Sequence, residues 1–256
     1  MATAFPESRT VVLTGAASPR GIGRATAHFL AERGWHVGII DLDDAAAKAV
    51  AAEIAEQHGV QAAGAGANVA DEAAVRRAFD ELEAALPQVV ALVNLAGVSS
   101  PVPYLEVTAD EWNRVMDINM NGVHYATRRA VESMVQHGVG RVVSLSSVSA
   151  QRGGGTFSKT VYSAAKAGVI GFTRSVAREL GHQGITLNVV SPGPIDTDIM
   201  GGTLTDERKT AMAADGVLPR IGTPRDIAAA IAYLISEDAG FVTGQTLNVD
   251  GGLYMH

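Results

Sequence analysis

The feature that most constrains the fold is an alternation. Short, continuous apolar runs are each followed by a stretch of helical periodicity. "TVVLTG" precedes apolar positions at Ile22, Ala25, Phe29 and Leu30, a pattern that stops at Gly34. "HVGIID" precedes an alanine-rich stretch from Asp44 to His58. "VVALVNLAG", "GRVVSLSS", "ITLNVVSPG" and "GQTLNVDGG" are further strand candidates. A strand with one wet face alternates apolar and polar residues, whereas a strand covered on both faces is apolar throughout. These runs are of the second kind. Such strands, separated by helices, assemble into a parallel, doubly wound sheet. The expectation is a single Rossmann-like α/β domain over residues 1–256, with about seven strands flanked by helices. Neither a repeat nor a low-complexity linker interrupts it. The polar, glycine-containing stretch Asp198 to Gly222 is long for a simple connection and is expected to form a substrate lid.

Composition narrows the function. Apolar residues make up 47% and charged residues 18% of the chain, a balance that suits a well-buried globular protein. The net charge of −7 argues against nucleic acid or an anionic membrane as partner. The lack of cysteine removes disulfides, thiolate nucleophiles and thiolate metal sites. The histidines are scattered without metal-ligand spacing, so no metal is expected. No apolar run reaches membrane-spanning length, and "MATAFPESRT" lacks the pattern of a secretion signal. A cytoplasmic location is expected.

Three stretches carry chemistry. The first is "TGAASPRGIG", Thr14 to Gly23, between the first strand and the first helix. A helix N-terminus offers unpaired N–H groups and a partial positive charge, and glycines let a pyrophosphate come close. Any tight strand–helix turn favours glycine, so this turn alone is weak evidence. The second is Asp41, which ends the next strand with Asp43 and Asp44 behind it. A carboxylate there can accept both ribose hydroxyls of NAD and would repel a 2′-phosphate. Asp44 is a candidate helix cap. The third is "YSAAK", which puts Tyr162 and Lys166 on one face of a helix, one turn apart. Tyrosine is a poor acid or base near neutrality, and a neighbouring ammonium favours its phenolate. The serines of "SLSSVSA" follow a strand, where a hydroxyl can hold a substrate oxygen.

Taken together, these stretches resemble the short-chain dehydrogenase/reductase family over essentially the whole chain. The matching pieces come in the family's order: the glycine-rich turn, Asp41, Asn68-Val69, "NLAG" (Asn94 to Gly97), Asn119 in "DINMNG", Ser147, "YSAAK", "SPGPIDT" (Ser191 to Thr197) and "NVDGG". The resemblance implies Asn119, Ser147, Tyr162 and Lys166 as catalytic residues. Tyr162 would exchange a proton with the substrate oxygen, and Ser147 would bond the same oxygen. Lys166 would lower the Tyr162 pKa and bind the nicotinamide ribose. Asn119 would hold a water that connects Lys166 to solvent. The cofactor would lie against Gly15, Ser18, Arg20, Gly21, Ile22 and Gly23, then Asp41, Asn68, Val69, Asn94, Ala96 and Gly97. Pro192, Gly193, Ile195 and Thr197 would hold its nicotinamide end. Ser147, Ser149, Gln151 and Tyr162 would meet the substrate, with Val98 and the "RGGGTF" loop completing the pocket.

Three features depart from the family pattern. The glycine turn carries two extra residues within "ASPR". Asn68 stands where aspartate is usual. Ser147 lies two residues further from Tyr162 than usual, so "QRGGGTFSKT" must absorb the difference; Ser149 would restore the spacing, but "SSV" matches at Ser147. Arg20 stands where NADP-preferring relatives place a base, and Asp41 where NAD-preferring relatives place a carboxylate. The insertion is expected to displace Arg20, to pair with Asp41 or face solvent, and NAD is the expected cofactor. The implied activity interconverts a secondary alcohol and a ketone, on a sugar, polyol, hydroxyketone or 3-oxoacyl substrate. An NADPH-linked 3-oxoacyl-thioester reductase and a non-catalytic nucleotide sensor are the alternatives. Glu132, near where carrier-protein reductases bear an arginine, weakens the former. Sugar epimerases or dehydratases of related type usually carry an added substrate domain. Long helices are expected around Trp112 to His137 and Ser163 to Leu180; relatives pair such helices and the edge strand into tetramers, so a homotetramer is expected.

Overall fold

The computed structural model describes residues 4–155, 157–200 and 202–255. Thr156 in "RGGGTF", Gly201 in the expected lid and the terminal positions lie outside the described residues. In chain order the elements are β1 (Thr10–Thr14), α1 (Ile22–Ala31), β2 (His36–Asp41), α2 (Asp44–His58), β3 (Ala62–Gly66), α3 (Glu72–Ala85) and β4 (Val89–Asn94). There follow α4 (Ala109–Met116), α5 (Gly122–His137), β5 (Gly140–Leu145), α6 (Val148–Arg152), α7 (Thr160–Leu180), β6 (Ile185–Pro192), α8 (Asp206–Ala213), α9 (Pro224–Leu234) and β7 (Thr246–Val249).

Among the described residues the strands form one seven-stranded sheet in the order β3-β2-β1-β4-β5-β6-β7. Every neighbouring pair is parallel. The chain starts mid-sheet, winds outward to β3, then returns to lay β4 against β1. The direction of winding reverses there, and the crevice beyond the carboxyl ends of β1 and β4 is where such sheets bind ligands. β1, β4, β5 and β6 are buried along their whole length, which accounts for their uninterrupted apolar runs. Helices α1, α2 and α9 cover one face around Leu30, Ile54 and Ile231. Helices α3, α5 and α7 cover the other around Phe79, Leu82 and Met134.

Three elements differ from the sequence expectation. Strand β3, "AAGAG", has no branched residue to announce it. It exists because α2 lies almost on its backbone: a β-carbon at Gly64 would sit 2.4 Å from the Ala47 carbonyl. The cap of α2 is Asp43, which accepts from the Ala46 N–H, and not Asp44, which pairs with Lys48 and accepts from the Gly66 N–H. The long helix expected around Trp112 to His137 is opened by a π-turn at Asp117–Asn121, between α4 and α5. The Asn119 side chain donates to the Val115 carbonyl at this opening, 2.9 Å away. Such local openings commonly mark functional positions. The expected lid contains helix α8, and a parallel bridge between Ile195 and Gly222 ties its two ends together.

Candidate active site

The catalytic side chains descend from three adjacent elements. β5 ends at Leu145, and the chain turns through Ser146 and Ser147 into α6. Ser147 caps that helix by accepting from the Ser149 N–H at 3.1 Å. Ser146 donates to the Lys166 carbonyl at 2.8 Å and so fixes α7 against the end of β5. This places Tyr162, one turn earlier on α7, beside Ser147, whose hydroxyl is near enough to favour the phenolate. The two extra residues between them are taken up by α6 and the loop after it, so the longer spacing leaves the pair intact. Ser149 is buried behind Ser147 and also lines the cleft.

Lys166 is 4% exposed, and its ammonium donates to the Leu145 carbonyl at 2.9 Å. Burial lowers its pKa to about 8. Burial also pushes the Tyr162 hydroxyl up to about 12, opposed by the bond with Ser147. In this state the tyrosine is a protonated acid, not the lowered-pKa group implied by the resemblance. The reason is geometric: Lys166 Nζ lies 5.7 Å from the Tyr162 ring centroid and spends a donor on the backbone. Asn119 is fully buried. Its amide donates to the Val98 and Val115 carbonyls, and its Oδ1 accepts from the Val98 N–H at 3.2 Å. Gly97 makes room for this group, since a β-carbon there would sit 2.7 Å from Asn119 Oδ1 and 3.5 Å from Lys166 Nζ.

The glycine turn packs against the same crevice. Gly15 has φ +72°, and an added β-carbon would strike the Ala96 backbone at 2.6 Å. At Gly23 it would meet the Gly15 carbonyl at 2.3 Å, so these two glycines serve the turn itself. Gly21 meets no protein atom that closely. It caps α1 without a side-chain partner and lines the cleft with Gly15, Ser18, Ile22 and Gly23. An open helix N-terminus behind a bare glycine fits a pyrophosphate. Asp41 accepts from the Ala17 N–H at 2.8 Å and from the Leu42 N–H, which ties the turn to the end of β2. Each carboxylate oxygen keeps acceptor capacity for a ribose hydroxyl.

Arg20 departs from expectation. It does not pair with Asp41, and although its side chain is 40% exposed it is not free in solvent. Its guanidinium meets Asp196 at 2.8 Å and Asp198 at 2.9 Å, and Lys209 completes the cluster at Asp196. The longer turn carries the arginine across to the segment after β6. Pro192, Gly193, Ile195 and Thr197, from that segment, line the cleft. Asn68 accepts from the Ala70 N–H, and Val69 is buried against Gly122. Asn94 lies beneath the site and donates to Thr127 and Ser144, while Ala96 contributes its N–H to the Thr14 hydroxyl. Gln151 is turned away from the cleft: it donates to Asn248 and accepts from Ser191. Helix α6 points it at β6 and β7, so a substrate contact is not its placement here. Val98 packs with Tyr162 in the small cluster around Val115 and Val161 rather than along the cleft.

The cleft encloses about 790 Å³ and runs from Gly15 to helix α8. Arg208, Met212 and Leu253 line its far end, and none of them announces itself by type. Leu253 arrives there through the Gly251-Gly252 turn, held by Asp250 accepting from the Gly252 and Tyr254 N–H groups. Among the described residues no cluster has the makings of a metal site, and no helix is long and apolar enough to cross a membrane.

Half-buried Ser147 with buried Tyr162 and Lys166, around a nucleotide-sized cleft at the switch point of a parallel sheet, are the site of a dinucleotide-dependent enzyme. Comparison with known proteins agrees. A family model described as enoyl-(acyl carrier protein) reductase matches residues 15–254. An uncharacterized short-chain type dehydrogenase/reductase of Sinorhizobium fredii is 41% identical, over 98% of this chain and 99% of its own. A 3-oxoacyl-[acyl-carrier-protein] reductase of Escherichia coli is 36% identical over 97% and 98%. The crystal structure of a 3-oxoacyl-[acyl-carrier protein] reductase with bound NAD from Brucella melitensis superposes with a TM-score of 0.87 at 34% identity, covering 98% of this chain and 92% of that one. The chain belongs to the short-chain dehydrogenase/reductase family. It is an oxidoreductase acting on CH–OH groups, with a nicotinamide cofactor.

Proposed function

We propose that the chain is an NAD-dependent oxidoreductase that interconverts a secondary alcohol and a ketone, with Tyr162 as acid and base. The observation that carries this reading is the buried Tyr162, which lines the cleft together with Ser147 and Lys166. The nicotinamide, when bound, supplies or accepts the hydride. The chain's own residues position the carbonyl and move the proton. In reduction, neutral Tyr162 gives its proton to the developing alkoxide, and Ser147 donates to the same oxygen. In oxidation, Tyr162 takes the hydroxyl proton as a phenolate, favoured by the Ser147 hydroxyl and, at longer range, by the Lys166 ammonium. Lys166 keeps two donors beyond its bond to Leu145, enough for ribose hydroxyls. Asn119 would hold the water that links Lys166 to solvent.

Asp41 supports NAD over NADP. A carboxylate within ~4 Å of a phosphate repels it by roughly 1–4 kcal/mol. Arg20, the base that could compensate, is engaged by Asp196 and Asp198. A carrier-protein substrate is the less favoured reading, because Glu132 stands on the exposed face of α5 with Arg76 and Arg128 paired to it. A homotetramer fits the exposed Phe241 and the edge strand β7 with its partly exposed Leu247, and light scattering at micromolar concentration tests it.

The test is a panel of polyols, hydroxyketones and 3-oxoacyl thioesters with NAD(H) and NADP(H), on wild type and Tyr162→Phe. Turnover with NAD(H) is expected, and the variant should lose about 10²–10⁴-fold with cofactor binding retained. Activity of the variant within tenfold of wild type would refute the role of Tyr162.

A further inference from the structure

One cation in the cleft has no part in the mechanism above. Arg208, on α8, lines the cleft with Ser147 and Tyr162. Its guanidinium stacks over the Phe157 ring, 4.5 Å from the centroid. Its Nη2 is buried and has no hydrogen-bond partner among the described residues. A buried, unpaired guanidinium nitrogen is costly, and this one belongs to a residue that lines the cleft.

The neighbouring carboxylates do not answer it. Asp215 faces Arg152 at 4.0 Å, Asp198 meets Arg20, and Asp196 meets Lys209 and Arg20. Among the described residues no carboxylate is within ion-pair distance of Arg208. The Phe157 ring covers the guanidinium while Nη2 stays without a partner among the described residues, a donor that a planar or tetrahedral anion can take. Arg152 adds a second, half-exposed cation at the rim of the same end.

We infer that Arg208 is a specificity residue and that the substrate carries an anionic group, a carboxylate or a phosphate, which it binds. The inference rests on the proposed alcohol–ketone reaction only for the other half of the substrate: the oxygen to Tyr162, the anion to Arg208.

The test separates the two. The NAD(H)-loaded protein is titrated calorimetrically with short oxo acids, each against its amide, and with glycerone phosphate against glycerone; turnover of the same pairs is followed. The anionic member of at least one pair is expected to bind and turn over at least about tenfold better than the neutral one. Arg208→Met, which keeps an apolar contact on Phe157, should bring that ratio within twofold; Arg208→Lys should restore part of it. The acid-specific or the phosphate-specific ratio identifies which anion is meant. Equal binding of every pair by wild type, a ratio that survives Arg208→Met, or no anion binding at millimolar concentration overturns the inference. Arg208-dependent anion binding without any turnover would uphold this site and sink the oxidoreductase mechanism instead.

Discussion

The floor of the cleft and its mouth are built by opposite means. At the floor, Asn119, Ser146 and Lys166 are held by bonds to backbone carbonyls and are almost wholly buried. At the mouth, Arg20, Asp196, Asp198 and Lys209 are held by one another, with side chains between a quarter and two-fifths exposed. Backbone bonds in a dry site are stiff, and their loss leaves a buried group unpaired. Ion pairs at such exposure contribute little and exchange partners readily. In the proposed mechanism the chemistry belongs to the fixed wall, while the adjustable one borders the cleft.

Substitutions at the floor should therefore cost far more than those at the mouth. Lys166→Ala is expected to cost the most, about 10²-fold or more in kcat together with weakened cofactor binding, in steady-state kinetics and titration. The same lysine gives a pH signature. Its folded pKa of about 8 lies below the ordinary 10.5, so the penalty of the buried ammonium is full below pH 8 and is gone above 10.5. Wild type should gain thermal stability relative to Lys166→Met as pH rises through that window. A gap in Tm that does not change from pH 7 to 10.5 would mean that the ammonium is not buried in solution.

Asn119→Ala strands the Val98 and Val115 carbonyls and the Val98 N–H, and should destabilise by about 2–4 kcal/mol in urea unfolding. A smaller loss would blur the contrast, because it would make the π-turn as tolerant as the mouth. Asp41 stands between the two regions. Wild type should prefer NAD over NADP by at least about tenfold in kcat/KM, about 1.4 kcal/mol. Asp41→Ala should narrow that ratio. The variant also removes the acceptor of the Ala17 N–H, so part of its effect will appear with NAD itself. Arg20→Ala should do least, with under about 1 kcal/mol of stability lost and less than that in high salt. Equal or better kinetics of wild type with NADP would show that Arg20 leaves Asp196 to meet a 2′-phosphate, and that the mouth, not Asp41, sets the choice.

The same contrast explains what could be read from the residues alone. Apolar runs announced the buried strands, and Tyr162 to Lys166 spacing announced the helix that carries them. Strand β3 stayed silent because its pairing is made possible by missing side chains, at Gly64 and Gly66. The partners of Arg20, 176 residues away at Asp196, obey no local period. Gln151 has the polarity of a pocket residue, but the turn of α6 sends it to Asn248. Arg208 lies in the polar stretch expected to form the lid, and only folding places it over Phe157.

The central claim is hydride transfer between a nicotinamide and a carbinol carbon at Tyr162. It is tested most directly by incubating wild type with NADH doubly deuterated at C4 and a ketone from the panel, then locating the label in the product by mass spectrometry. An alcohol with one deuterium on the carbinol carbon is expected, formed at a rate that collapses in Tyr162→Phe. An alcohol without deuterium, or no alcohol from any ketone offered, would contradict it.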